Sequence, residues 1–283
     1  MSEPFKSPLS EPACWPARLR LSYERRAGRS VLAAKEHEGP LVVQKPLYPE
    51  GEAICHSIIL HPPAGIVGGD QLTLQVLVGD QAHALLTTPG ATKWYRSAGA
   101  AATQTMHFSI GNEGCLEWLP QESIVFDGAQ AHNETQINLA AKALFLGWDI
   151  ICLGRTGSAQ SFQTGRWGSK LSIHREGKAL WIERAAIEAG DLLMRSKAGL
   201  SGCSVYATFV ATVQTVQASL IQECRTVVVE KGVASVSQLP GLLVGRYLGD
   251  SSQAAKNYFI ALWQKVRPVV VGCEAQRPRI WNT

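Results

Sequence analysis

Three stretches concentrate the residues that can do chemistry. The first, residues 59–72, reads ILHPPAGIVGGDQL. Pro62 and Pro63 hold the chain extended after His61, and Gly65, Gly68 and Gly69 admit positive φ or a close backbone approach. A lone carboxylate, Asp70, follows at the mouth of a strand, where it is either a functional group or the acceptor of its own turn. No Gly-Lys-Ser/Thr and no GxGxxG follows, so neither a P-loop nor a dinucleotide site is indicated. The second stretch, residues 87–97, reads TTPGATKWYRS. Pro89 and Gly90 mark a turn, and Lys93 and Arg96 set two cations beside Trp94 and Tyr95. Such a patch suits a partner or a nucleic acid, or is an edge turn with a solvated lysine and a stacked arginine. Trp94, Tyr95 and Arg96 are the residue types of interface anchors.

The third stretch, residues 116–129, reads LEWLPQESIVFDGA. Pro120 separates two strands after Trp118, and Glu122 and Asp127 flank the second, before Gly128. Their odd spacing points them to opposite faces of an extended strand, which counts against a paired-carboxylate hydrolase. Such an enzyme, using Asp70 with Glu122 or Asp127, is the alternative reading. Asp149 and Glu183 sit inside apolar segments, where a charge is costly without water, a partner or an ion; Arg155 and Arg184 are the candidate partners. The seven cysteines include no CxxC pair, and the Cys55-His56 and His61 grouping fits no standard zinc spacing. Neither GxSxG nor HExxH occurs.

The elements that must position these residues have mostly a period of two. Leu19, Leu21 and Tyr23 alternate with polar neighbours, as do Leu72, Leu74 and Val76, and Met106, Phe108 and Ile110. Leu180 and Ile182 alternate with Trp181 and Glu183, which predicts the first pair inside. Turn signals recur about every ten residues, so the expected class is mainly β, an all-β sandwich or a β-helix-like stack of sheets, with no fixed-period repeat. Asp250 and Ser251 can cap a helix over about 250–266, ended by Pro268, and a shorter helix fits about 191–197. Residues 1–16 are expected to form a flexible arm and 17–283 a single domain. At 46% apolar and 18% charged, the chain can bury a core, and a net charge of +4 demands neither nucleic acid nor an anionic membrane. No secretory leader or apolar span is visible, and free cysteines fit a reducing cytoplasm.

HPPAGIVGGDQL, TTPGATKWYRS and WLPQESIVFDGA, in this order and spacing, resemble the urease accessory protein UreD family, called UreH in some organisms. HEGPLVVQKPLYPEG at 37–51 and GWDIICLGRTG at 147–157 carry the resemblance from about Leu19 to the final helix. Ala64 stands where the family's glycine is expected, and Thr92-Lys93-Trp94 replaces the commoner small-Lys-Phe. The resemblance implies a mostly β scaffold, not an enzyme. It implies binding to apo-urease and to UreF, which recruits the GTPase UreG. Ni²⁺ released by UreG is then implied to cross UreF and an internal watery route to the urease active site. No tightly bound cofactor is expected, only Ni²⁺ in transit. Nickel binds imidazole and thiolate strongly, so a conduit is better made of spaced carboxylates and hydroxyls. On that footing Asp70, Thr92, Asp149 and Glu183 are the expected lining.

Overall fold

The computed structural model describes residues 16–213 and 217–282. Apart from Pro16, which opens the first strand, the expected arm lies outside the described residues. Two β-sheets stack face to face, and a helical layer covers the outer face of the second. The seven-stranded sheet runs Lys178–Glu188, Arg166–Arg175, Gln130–Leu139, Ala102–Ile110, Gln71–Val78, Pro16–Arg26 and Arg29–Glu38. Its five inner strands are parallel, and a hairpin closes each edge. The eleven-stranded sheet pairs Cys55–Leu60, His83–Thr87, Cys115–Trp118 and Leu144–Arg155 in parallel. Val205–Thr212, Leu242–Gly249 and Val233–Leu239 extend it antiparallel.

Between Cys55 and Arg175 the chain visits the two sheets alternately, laying one parallel strand in each per coil. This solenoid-like stacking needs in-register strands rather than a sequence repeat, because the connecting loops differ in length. Period-two patterning builds two cores. Leu19, Leu74, Phe108, Ile137, Ile151 and Val244 pack between the sheets. The opposite face of Leu144–Arg155, through Leu146, Trp148 and Ile150, packs with Phe209 against Phe259, Leu262 and Trp263 of the helical layer.

Three local expectations change. Ile182 points outward at 51% exposure, while Trp181 and Glu183 are partly buried. The pairing of this edge strand with its neighbour shifts register between Ile173 and His174, and such a slip exchanges the faces. The C-terminal helix spans Ser252–Val271 and continues through Pro268. It is capped by the Ser251 hydroxyl, which accepts from the Ala254 amide, and ends at Gly272 with φ 79°. A proline inside a helix costs about 3 kcal/mol, and the burial of Val266 and Arg267 holds the turn in place. A helix over Ala218–Arg225, not expected from the sequence, packs Leu220, Ile221 and Cys224 into the helical core. The shorter predicted helix is one turn, Leu192–Arg195.

Arg267 is fully buried. Its guanidinium donates to Glu117 at 2.9–3.0 Å and to Glu50 Oε1 at 3.0 Å, and also meets the carbonyl of Glu274. Trp263 Nε1 donates to Glu117 at 2.6 Å, and His83 lies 2.7 Å from the same carboxylate. Burial alone would raise the Glu117 pKa, but His83 and Arg267 outweigh it and hold it at about 2, below the usual 4.5. The stability Glu117 contributes is therefore complete above about pH 4.5 and is lost as the pH falls through about 2. Arg267→Met leaves that charge short of its main partner and is expected to cost about 3–5 kcal/mol in urea unfolding. A loss under about 1 kcal/mol would contradict this assignment.

Candidate functional site

The three chemistry-bearing stretches converge in space. The Ile66 N–H donates a hydrogen bond to the Lys93 carbonyl at 2.7 Å, and the Tyr95 N–H donates to the Ile66 carbonyl at 2.9 Å. Strand Thr92–Trp94 pairs in parallel with Ser123–Val125, and Phe126 N reaches the Trp94 carbonyl at 2.9 Å. The glycines of the first stretch allow this approach. A Cβ on Gly65 would overlap the Tyr95 ring, and one on Gly68 would overlap Ser97.

Behind this junction an internal chamber of about 270 Å³ lies between the sheets. His61, Gly65, Ile66, Thr88, Pro89, Gly90, Thr92 and Lys93 form its loop wall, and Trp118, Pro120, Gln121 and Ser123 the wall beneath. A smaller extension of about 50 Å³ continues toward Ser169, Glu183, Tyr206 and Thr208. Met106, Trp118, Asn133 and Asp149 wall both spaces, so Asp149 stands at their junction. The first sheet contributes an inward row of Leu72, Gln104, Asn133 and Ser169, in register on four neighbouring strands. Gln104 Nε2 donates to Asn133 Oδ1 at 3.3 Å. Three polar side chains thus replace apolar ones at one level of the core, and they supply the hydrogen-bond partners that a water between the sheets needs.

Asp149 is the deepest acid of the chamber. It is half-buried, and it lines the cavity. Among the described residues its carboxylate meets the Ile150 amide and has no cation beside it. Burial, then the nearby charge of Glu183, raises its pKa from 3.8 to about 7. Glu183 instead has partners: the Arg246 guanidinium, with Thr208 Oγ1 and Trp181 Nε1 each at 3.4 Å. Arg246, not Arg155 or Arg184, is therefore its ion-pair partner. Arg155 bonds Gln160 at 2.6 Å and lies over Phe126.

The structure brings Thr92, Asp149 and Glu183 to two adjoining spaces that share Asp149, with His61, Gly65, Pro89, Gly90, Lys93, Trp118 and Pro120 of the three stretches around the larger. Asp70 lies outside that lining; its Oδ2 accepts from the Val67 amide at 2.9 Å and closes the turn through Gly68 and Gly69 that follows Pro62 and Pro63. Gly69 there has φ 96°. Trp94 is not a surface anchor, because its ring is fully buried against Trp167 at 5.3 Å. Tyr95 is half-buried on Phe126, and Arg96 is exposed beside Asp127 and Gly128. The carboxylates of the hydrolase reading have separate tasks. Asp127 accepts from the amides of Gln163 and Thr164 at 2.9 and 2.7 Å, and Glu122 reaches Ser252 at the start of the C-terminal helix. Among the described residues, no group of three or more His, Cys, Asp and Glu is placed to hold a metal ion. Sequence reasoning missed Gln104, Asn133 and Arg246; a polar residue at an inward position of an alternating strand was the available signal.

A family model described as UreD urease accessory protein matches residues 16–282. The chain belongs to the UreD family. It is 47% identical over 269 residues to the urease accessory protein UreD of Azoarcus sp. (strain BH72), covering 95% of this chain and 94% of that one. It is 48% identical over 284 residues to the Dechloromonas aromatica (strain RCB) UreD, with 99% and 98% coverage. The Pseudomonas aeruginosa UreD is 45% identical over 276 residues, with 97% and 98% coverage. No helix among the described residues is long and apolar enough to cross a membrane.

Two stability predictions follow from this UreD-family site. Asp149 binds its proton more tightly folded than unfolded, so its penalty is absent below about pH 3.8 and complete above about 7. Asp149→Asn should leave the melting temperature unchanged near pH 3.8 or below and raise stability at pH 8 by at most roughly 4 kcal/mol. Equal effects at both pH values would contradict the buried, unpaired state. Ala64 holds φ 61°, a left-handed conformation costly for a residue with a Cβ. Ala64→Gly is expected to stabilise the chain by up to about 1 kcal/mol, and a fall in the urea midpoint would contradict the strain.

Proposed function

We propose that this chain is a non-catalytic, cytoplasmic urease maturation factor. In this reading it binds apo-urease and UreF, the GTPase UreG joins through UreF, and Ni²⁺ passes through the chamber toward the urease active site. Family membership and the names of the relatives support the accessory role. The observation that carries the conduit is Asp149, a carboxylate without a neighbouring cation among the described residues, in a partly open space between the sheets.

The chemistry suits passage. One carboxylate, the hydroxyls of Thr92 and Ser123 and the amides of Gln104 and Asn133 offer hard oxygen donors, against a single imidazole, His61, on the loop wall. These hold Ni²⁺ less tightly than imidazole or thiolate, so the ion is released as readily as it is taken. Asp149 offsets the cost of moving a dication between two sheets, and water supplies the remaining ligands. Glu183 extends the acidic wall beyond it. Asp70 acts on the route indirectly, by fixing the loop that carries His61 and Gly65.

Reconstitution tests the reading. Apo-urease, UreF, nickel-loaded UreG, GTP and bicarbonate are combined with and without this chain, and urease activity is read with nickel content. Activation should require the chain. Asp149→Ala should still assemble with UreF but lower nickel delivery roughly tenfold, the equivalent of about 1.4 kcal/mol. Full activation without the chain, together with no complex with UreF on size exclusion, would overturn the proposal.

A further inference from the structure

Asp149, Thr208 and Arg246 lie directly opposite one another on three adjacent strands of the second sheet. Residues paired in this way share a face, here the one turned toward the first sheet. Glu183 reaches the row from the first sheet, on an edge strand held by a single neighbour. The Arg246 guanidinium closes the gap between the sheets, meeting Glu183 and donating to Thr208 Oγ1 at 2.8 Å. It also lies over the Trp181 ring, 5.5 Å from its centroid. Glu183 and Thr208 line the smaller space, and Arg246, bonded to both, keeps 41% of its side chain accessible against 23% for Glu183, so the bridge joins that wall to solvent. Lys170, the other cation beside that extension, is held by Glu134 at 2.6 Å.

We propose that Arg246 is a tethered gate: its guanidinium occupies Glu183 as a resident cation, and a divalent ion passes this end of the chamber only by displacing it. The inference rests on the chamber being a cation route. A guanidinium and a metal dication compete for the same carboxylate oxygens, and Thr208 and Trp181 give the displaced arginine a resting place beside the opening. An open carboxylate pair would instead retain the ion at the exit. The gate thus keeps binding weak while leaving Asp149 and Glu183 available in succession.

Ni²⁺ binding to the full-length chain, measured by equilibrium dialysis, tests the gate. Arg246→Gln should tighten Ni²⁺ binding about tenfold, as expected when one competing charge leaves a carboxylate at the protein surface. The gain should vanish in Arg246→Gln combined with Glu183→Gln. Arg246→Lys preserves the charge but loses the planar donor fork, and should give a smaller gain; it serves as the test if Arg246→Gln unfolds. Unchanged Ni²⁺ binding in both Arg246 variants, with binding still weakened by Asp149→Asn, would overturn the gate and leave the route standing. Binding unaffected by Asp149→Asn, Glu183→Gln and Arg246→Gln alike would overturn the route first and the gate with it.

Discussion

Arg267 lies wholly inside the protein, shared between two carboxylates that come from distant parts of the chain. Glu117 belongs to a coil strand, Glu50 to the loop before the first coil, and Arg267 to the C-terminal helix. Desolvating these charges costs several kcal/mol each, so the arrangement persists only where every donor and acceptor is met. Here Trp263, His83, His56 and the Glu274 carbonyl supply the remaining partners. The helical layer is thereby fixed in register on the second sheet. Trp281 adds a tie from the chain's end, donating to Thr87 Oγ1 at 2.8 Å at the base of the chamber's loop wall.

The same sheet treats two buried acids in opposite ways. Glu117 faces the helices, is fully satisfied and stays ionised. Asp149, one strand away on the face turned to the first sheet, has no cation. A fold that can satisfy one carboxylate so completely leaves the other open at a cost in stability, and such costs gather where a protein has work to do. The polar row of Gln104, Asn133 and Ser169 belongs with it: each replaces an apolar side chain that would have closed the core. Lys256 marks the outer boundary of this region, buried beside Gln121 and under the Trp281 ring.

The sheets were legible because burial on one face writes a period of two into strands such as Leu72, Leu74 and Val76. The helix start was legible in Ser251, whose hydroxyl has one local task. Its end was not, because Pro268 is a local signal and the Arg267 network is not local. Glu183 shows the same limit: its inward direction goes with an unpaired residue, Leu180, in its own strand, and its partner Arg246 lies 63 residues away. Thr92, Asp149 and Glu183 were named from a family resemblance, and their meeting in one space depends on coil stacking that no single segment encodes. Trp94 illustrates the converse error, since an aromatic beside two cations reads as surface while strand pairing buries it against Trp167.

A route for nickel requires that the space between the sheets admit a divalent cation. Anomalous diffraction at the nickel edge, from crystals of the chain soaked in Ni²⁺, tests this most directly. The account predicts partial-occupancy peaks inside the protein, beside Asp149 and along the line from Thr92 to Glu183. Peaks confined to exterior histidines such as His37, His107 and His132, with none between the sheets at any soak concentration, would contradict it.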